Sequence, residues 1–264
     1  MGARSATKER LPVPFDLNGT LASYDASRLT LCSIGSHSAL EVASGARAQG
    51  LRNLVITERG RNRTYDTYYA RRFDDPPRGC VDATLEVEKF SDVLDDGVQE
   101  RLRRENVVFV ANRSFEVYLH QRYSYTEIEE RMRVPFFGNR RLLRAEERDE
   151  PENQYALMDR AGIRYPRRMT SDSIDRLVMV KAPHAKVSFE RAFFLARTES
   201  EYTETAQQLL ESGTVTPEGL RGAVIEEFAL GPTINLNFFW SPVLSELELL
   251  GTDTRRQTNI EGIR

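Results

Sequence analysis

The sequence predicts an α/β protein, in which a parallel sheet flanked by helices precedes a second, α+β layer. Apolar strands alternate with amphipathic helices from Leu29 onward, and near residue 145 this alternation gives way to strands that follow one another. With 264 residues, 40% hydrophobic and 29% charged, the chain is long and apolar enough for two ordinary domains. The predicted organisation is a polar extension over 1–28, a parallel-sheet domain over 29–145 and an α+β domain over 146–264.

In the first domain, strands alternate with helices, and two polar turns follow strands of the predicted sheet. A short apolar strand, RLTLCSIG, leads through a Gly-Ser turn into a helix, and NLVITE follows as a second strand. The predicted apolar face of this helix carries Ala39, Leu40, Val42, Ala43 and Ala46. Further on come the strand ATLEVEKF, a helix start at FSDVL, the helix GVQERLRREN and the buried strand NVVFVA. Because ligands bind at the carboxyl ends of parallel strands, we expect the turns GSHS at 35–38 and NRSF at 112–115 to share one edge.

The second domain has a different pattern. Residues 136–170 form a charge-dense region that we predict to be helical, with an interruption at Pro151 and a helix end at AGIRYP. Two strands, VMVK and AFFLAR, then surround a loop, and SEYTETAQQLLESG has a helical pattern. Three more strands are predicted in the stretch that begins at AVIEEF and ends at LLGTD. This order favours an antiparallel arrangement.

Composition excludes several functional classes. A net charge of -3 gives no general attraction to nucleic acid or to an anionic membrane, and no apolar run is long enough to cross a bilayer. Two cysteines and three scattered histidines make neither a disulfide framework nor a zinc site. The first residues, MGARSATKERLPVP, lack the apolar segment of a secretory signal. We therefore expect a cytoplasmic protein that binds small molecules.

The GSHS turn is a candidate anion site. It places small and polar residues where a strand leads into a helix, and free backbone N–H groups at a helix start suit a phosphate or a carboxylate. The alternative is an ordinary helix cap by Ser36 or Ser38, with His37 incidental. Ser114, in the NRSF turn, could donate to a ligand at the same edge, or the turn residues could simply bond their own backbone.

Lysine is rare in this sequence, and two of its four lysines lie in one stretch, VMVKAPHAK. Lys181 and Lys186 could therefore converge on the phosphates of ATP, although exposed surface lysines are the alternative. In VIEEF, paired acids lie at the end of a strand. Glu226 and Glu227 point to opposite faces, so only one of them can face a given cleft.

Several short stretches together resemble a known family. They occur in the order and rough spacing of the archaeal-type 5-formaminoimidazole-4-carboxamide ribonucleotide synthetase, a formate-dependent ligase of purine (IMP) biosynthesis with an ATP-grasp fold. The stretches are GSHSAL at 35–40, FSD at 90–92, FGNRRLLR at 137–144, AGI at 161–163, VMVKAP at 178–183, IEEF at 225–228 and ELELLGTDTRRQTNIEG at 246–262. The resemblance covers about residues 29–264 and implies a Rossmann-like pre-ATP-grasp domain followed by the first part of an ATP-grasp domain.

The resemblance implies a reaction and a set of site residues. The family joins formate to the amine of 5-aminoimidazole-4-carboxamide ribonucleotide through formyl phosphate, and splits ATP to ADP and phosphate with Mg²⁺. Three residues match positions that contact the ribonucleotide: His37, Ser114 and Asn259. Lys181 and one of Glu226 and Glu227 match the grip on ATP, which Lys186 would join. The resemblance assigns no catalytic residue, and it is compatible with a homo-oligomer.

The sequence also departs from the family pattern. The glycine-rich loop after the strand lysine is replaced by HAKVSFERAF, and Asn112 and Arg113 stand where the family has histidine and glycine. Ala156 replaces a family lysine. The chain stops at Arg264, where the family continues toward its magnesium ligands, so we expect an incomplete ATP-grasp domain with no metal ligand. Two alternatives to the ligase follow: a paralogue that only binds a nucleotide or a partner, and a related ligase that acts on another amine.

Overall fold

The structure is a computed structural model, and it describes residues 16–112, 114–146, 150–182, 193–232, 234–241 and 244–254. The chain divides between Arg144 and Ala145 into two compact units. In the described part of the chain, no helix is long and apolar enough to cross a membrane.

The first unit is built on a parallel sheet of five strands. They are β1 Thr30–Ile34, β2 Arg52–Glu58, β3 Ala83–Val87, β4 Val107–Val110 and β5 Phe136–Phe137. Their order is β3-β2-β1-β4-β5, and every neighbouring pair is parallel. The strand order therefore reverses direction between β1 and β4, which is where open α/β sheets form a ligand crevice. The predicted parallel sheet is confirmed.

Five α-helices lie in the described part of the first unit. They are α1 Leu17–Ala22, α2 Ala39–Ala48, α3 Asp96–Arg104, α4 Ser114–His120 and α5 Tyr125–Arg131. Of the predicted face, helix α2 buries Ala39, Ala43 and Ala46, whereas Leu40 and Val42 are half-buried. On α4, Phe115 packs against Phe109 of β4, with 4.9 Å between ring centroids, which fixes this helix against the strand.

Three stretches of the first unit differ from the sequence expectation. Residues 16–28 contain α1 and a short 3-10 helix, and Tyr24 donates a hydrogen bond to the carbonyl of Val107, at 3.0 Å. FSDVL is a separate 3-10 helix, Phe90–Leu94, because extended backbone at Asp95 interrupts it before α3 begins. The region predicted to be helical from 136 instead starts with β5, which pairs with β4 and continues into a 3-10 helix, Arg140–Glu146.

The second unit has a four-stranded antiparallel sheet. Its strands are β6 Arg168–Met169, β7 Val178–Lys181, β8 Phe193–Ala196 and β9 Val224–Glu227, in the order β6-β9-β7-β8. The helices are α6 Gln154–Ala161, α7 Glu199–Glu211 and α8 Pro217–Arg221. Gly162 ends α6 with a positive φ of 65°, as AGIRYP predicted. Val178, Val180 and Phe194 lie in the core of this sheet.

A separate hairpin completes the described part of the second unit. It pairs β10 Asn235–Ser241 with β11 Glu246–Asp253 in antiparallel register. The strands after AVIEEF are therefore present as predicted, and the antiparallel arrangement of the second unit is confirmed.

Candidate functional site

The two predicted turns meet at the carboxyl ends of β1 and β4. The Ser36 hydroxyl donates a hydrogen bond to the Ser114 hydroxyl, with 3.2 Å between the oxygens. The Asn112 side-chain amide donates to the carbonyls of Ile34 and Ser36, at 2.9 and 2.8 Å. The expectation that both turns share one edge of the sheet is confirmed, and that edge is the point at which the strand order reverses.

The GSHS turn presents free donors at the start of α2. Backbone N–H groups of Ala39 and Val42 bond the carbonyls of Ser36 and Ser38. Within the described residues, those of His37, Ser38, Leu40 and Glu41 have no protein acceptor. The Ser38 hydroxyl makes no capping bond and instead lies 3.0 Å from Nδ1 of His37. The ordinary cap by the Ser38 side chain is therefore not formed, and these N–H groups can receive an anion.

His37 has an unusual backbone. Its φ is 41°, in the left-handed region that non-glycine residues seldom adopt, and its side chain is exposed. Strain of this kind is concentrated at ligand sites, because the surrounding structure must hold it. Gly35, two residues before His37, donates to the carbonyl of Ile56 at 2.6 Å, which fixes the turn to β2.

Asn112 is buried and only half satisfied. Its amide nitrogen makes two hydrogen bonds, whereas its Oδ1 has no partner within the described residues. This residue stands where the resemblance expects histidine, and its main contact is structural, since it joins the end of β1 to the end of β4. Arg113, the next residue, lies outside the described part of the chain.

Two residues that the sequence analysis missed belong to the same network. Tyr118 lies one turn after Ser114 on α4, and the Arg61 guanidinium donates to the Tyr118 hydroxyl at 3.1 Å. The bond from Arg61 lowers the pKa of Tyr118 against the opposing effect of burial, and the contact with Ser36 adds to this lowering. Their positions carried a signal, because Arg61 follows β2 at the same sheet edge and residues four apart share a helix face.

In the second unit, Lys181 forms an ion pair with Glu226. Lys181 ends β7 opposite Val224, so Glu226, two residues further along β9, is a diagonal neighbour on the same face. Glu226 is only 6% exposed, and its other carboxylate oxygen accepts a hydrogen bond of 2.7 Å from the Tyr155 hydroxyl. A buried carboxylate with two partners holds the lysine in a defined place.

The remaining predicted residues are not part of this cluster. Glu227 points to the opposite face, as expected, and contacts Arg176 at 3.3 Å. The structure therefore brings Glu226, and not Glu227, to Lys181. Lys186 and Asn259 lie outside the described residues. Tyr155, which precedes the substituted position Ala156, was not predicted from the sequence.

Comparisons with known proteins identify the family of the chain. Residues 31–169 match the family model described as "Protein of unknown function (DUF1246)", and residues 201–264 match one described as "Domain of unknown function (DUF1297)". Two similar proteins are each named 5-formaminoimidazole-4-carboxamide-1-(beta)-D-ribofuranosyl 5'-monophosphate synthetase. The protein from Methanopyrus kandleri is 38% identical over 244 residues, and the one from Methanothermobacter thermautotrophicus is 35% identical over 244 residues. The matches cover 92% of this chain but only 63% and 62% of those relatives.

Solved structures show the same fold class. The IMP biosynthesis protein PurP from Thermococcus kodakaraensis matches with a TM-score of 0.55 and 25% identity, over 85% of this chain and 59% of that one. An ADP complex of purK, an N5-carboxyaminoimidazole ribonucleotide synthetase, matches with a TM-score of 0.57 and 12% identity, over 88% of this chain and 55% of that one. The second likeness concerns the fold alone. The predicted α/β class is confirmed.

Proposed function

The chain belongs to the DUF1246 family. We propose that it acts as an ATP-dependent ligase that joins formate to the amine of 5-aminoimidazole-4-carboxamide ribonucleotide. The relatives named for this product support the proposal. The single observation that carries it is the network at the strand-order reversal, where Ser36, His37 and Ser114 surround free N–H groups at the start of α2. His37 and Ser114 are the predicted contacts of the ribonucleotide, and Asn259 is a third proposed contact.

The proposed chemistry has two steps. A formate oxygen attacks the γ-phosphorus of ATP, and ADP leaves with formation of formyl phosphate. The amine of the ribonucleotide then attacks the formyl carbon, and phosphate leaves together with an amine proton. Neither step needs a covalent bond to the protein, so this chain contributes positions and charges. A helix start with unpaired N–H groups supplies such a position for an anionic group.

Lys181 is the proposed cation of the ATP site. Its ammonium group is held by Glu226, which is in turn held by the Tyr155 hydroxyl, so the lysine reaches ATP phosphates from a fixed point. Glu227 and Lys186 were predicted for the same site; we place Glu227 outside it and keep Lys186 as a proposed contact. The purK neighbour was solved with ADP, which supports a nucleotide in this kind of fold.

Magnesium has no assigned ligands in this proposal. Within the described residues, no three His, Cys, Asp or Glu side chains come together in a way that could hold a metal ion. Mg²⁺ is proposed as the partner of the ATP phosphates, with no ligand assigned to it among the described residues. We further propose a cytoplasmic location and small-molecule substrates only, in line with the net charge of -3.

A second candidate is a related ligase that acts on another amine. The observation that favours it is Asn112, which replaces the family histidine and keeps a buried Oδ1 without a partner within the described residues. An altered acceptor at this edge would change which donor groups a ligand must carry. A panel of aminoimidazole and other amine substrates, offered with formate and ATP, separates the two candidates by the amine that is formylated.

The proposed reaction is tested by transfer of ¹³C-formate to the ribonucleotide, with ADP release measured in parallel. We expect ADP release to require both formate and the ribonucleotide. Lys181→Gln removes a charge-assisted contact and should weaken ATP binding by about 10- to 100-fold. The matched control is Lys89→Gln, since Lys89 is an exposed lysine of the first unit that pairs with Glu58. ADP release at the same rate with and without formate would contradict the proposal, as would equal ATP affinity in both variants.

A further inference from the structure

Arg61 is held by aromatic rings and a phenol rather than by an acidic partner among the residues that the structure describes. It follows β2, and its guanidinium lies over the rings of Phe90 and Tyr118, 5.2 and 5.5 Å from their centroids. It donates one hydrogen bond to the neutral hydroxyl of Tyr118. Within the described residues it forms no ion pair with a carboxylate. An arginine carries five N–H donors in a planar fork, so most of its donors remain available.

Two other arginines of the same unit, Arg59 and Arg71, are neutralised by carboxylates. Arg59 pairs with Glu86 and Glu88, whereas Arg71 pairs with Asp82 at 2.9 Å. Arg61 differs from both, because aromatic faces and a phenol fix its orientation without cancelling its charge. A fixed, uncompensated guanidinium is suited to a charged ligand, since the cost of ordering the side chain is already met by the fold.

Helix α4 connects Arg61 to the candidate ligand edge. Arg61 donates to the hydroxyl of Tyr118, and Tyr118 lies one turn after Ser114 on the same face of α4. Ser114 in turn accepts the hydrogen bond from Ser36. The carboxyl ends of β1, β2 and β4 therefore each contribute to one network, and the unpaired N–H groups at the start of α2 adjoin it. The lowered pKa of Tyr118 agrees with a guanidinium that stays close to this hydroxyl.

We propose that Arg61 binds the phosphate monoester of the ribonucleotide with its guanidinium fork, and that Tyr118 is the residue that positions it. The inference rests on the proposed function for the identity of the nucleotide, whereas the geometry alone supports a phosphate. A guanidinium fork matches two phosphate oxygens, and the N–H groups at the start of α2 donate to the third. The phosphate then lies between Arg61 and the Ser36–His37 turn.

Calorimetric titration of the 264-residue chain tests this assignment. The ligands are 5-aminoimidazole-4-carboxamide ribonucleotide, the corresponding nucleoside and inorganic phosphate. For Arg61→Gln we expect ribonucleotide affinity to fall by about 10- to 100-fold, while nucleoside affinity stays unchanged. Arg61→Lys should recover part of the loss, since it keeps the charge without the fork. The matched control is Arg63→Gln, because Arg63 stacks on Tyr68 at 5.3 Å two residues further along.

Tyr118→Phe separates positioning from folding. It keeps the aromatic ring under Arg61 and removes only the hydroxyl, so we expect a smaller loss, confined to the ribonucleotide and to phosphate. Arg61→Gln with unchanged ribonucleotide affinity would overturn the assignment, as would an equal loss for ribonucleotide and nucleoside. If wild type binds inorganic phosphate through Arg61 but not the ribonucleotide, the phosphate site stands and the proposed function fails. If wild type binds neither, both fail.

Discussion

Asn112 shows how much one side chain at the ligand edge does for the fold. Its amide nitrogen donates to the carbonyl of Ile34, at the end of β1, and to that of Ser36, in the turn that follows. These partners lie 78 and 76 residues away in sequence. The sequence predicted that the turns would meet, because parallel strands end at one edge. It did not predict the residue that joins them, since neither turn chemistry nor periodicity identifies a bond over such a separation.

Tyr155 makes the corresponding contact in the second unit, and its hydroxyl gives a prediction. Tyr155→Phe keeps the ring but removes the donor to Glu226, which is almost fully buried. A hydrogen bond to a buried charged group contributes about 1.5–3 kcal/mol, so we expect a fall of this size in the free energy of unfolding. ATP affinity should fall as well, because the carboxylate that holds Lys181 loses one of its partners.

Tyr165→Phe is the matched control. The Tyr165 hydroxyl also donates to a carboxylate, that of Asp159 at 2.9 Å, but this pair is exposed. Water replaces the lost donor at an exposed site, so a much smaller change in urea unfolding is expected there. If both variants lose the same stability and leave ATP binding intact, Glu226 does not depend on Tyr155 in the proposed way.

At the scale of elements, periodic sequence patterns predicted the longer helices and strands but not the shortest ones. The apolar face of α2 and the helix end at Gly162 follow from spacing and from turn chemistry. Strand β5 has two residues, too few to show a period, and only pairing with β4 makes it a strand. Similarly, α1 lies in a polar stretch, and the contact from Tyr24 to β4 is tertiary.

The candidate site divides in the same way. His37, Ser114, Lys181 and the pair Glu226 and Glu227 could be proposed from the sequence because turns and strand ends carry sequence signals. Arg61, Tyr118 and Tyr155 were not found, because each acts through a partner that is remote in sequence. For Arg61 the relevant property is the absence of an acidic partner in the described residues, and sequence alone does not contain that information.

The turn between β1 and α2 gives the prediction at this scale. A Cβ at Gly35 would lie 2.8 Å from the Tyr65 ring and 3.0 Å from the Ile56 carbonyl, and Tyr65 is buried. Gly35→Ala should therefore destabilise the fold by about 1–3 kcal/mol and displace Ser36, with weaker ribonucleotide binding. Gly45→Ala is the control, because a Cβ there meets nothing within 4 Å inside α2. Alanine at that helix position should stabilise by about 0.5–1 kcal/mol. Thermal unfolding of both variants decides, and a stable Gly35→Ala variant would show that the turn tolerates a side chain.

For the whole molecule, stability at low pH depends on carboxylates from both units. Hydrogen bonds from Ser27, from the Ser124 backbone and from Arg176 lower the pKa values of Asp25, Glu127 and Asp175 respectively. A carboxyl whose pKa is lower in the folded state stabilises the protein at every pH above the pKa that it has in the unfolded chain. This contribution disappears as the pH falls through the folded value. Acid unfolding should therefore begin below about pH 4.

At alkaline pH the dependence is reversed, since stability falls as the pH rises, and Tyr24 tests this. Burial raises the pKa of Tyr24 to about 12, and it also raises the pKa values of Tyr65 and Tyr202. Below about pH 10 these phenols are neutral in both states, but at higher pH the unfolded chain ionises first, so stability falls as the pH rises toward 12. Tyr24→Phe loses the bond to Val107 and should be less stable than wild type at pH 7, by about 0.5–1.5 kcal/mol.

This difference between Tyr24→Phe and wild type should shrink between about pH 10 and 12, because phenylalanine cannot ionise. The measurement is urea unfolding of both proteins at pH 7, 9, 10 and 11. Tyr202→Phe is the comparison, since the raised pKa of Tyr202 comes from burial, without the additional effect of a nearby arginine that Tyr24 has in Arg103. A stability difference that stays constant across this range would mean that Tyr24 ionises as readily in the folded protein as in the unfolded chain. The segment that carries α1 would then be open to solvent at Tyr24, and its contact with β4 would contribute nothing to the alkaline limit.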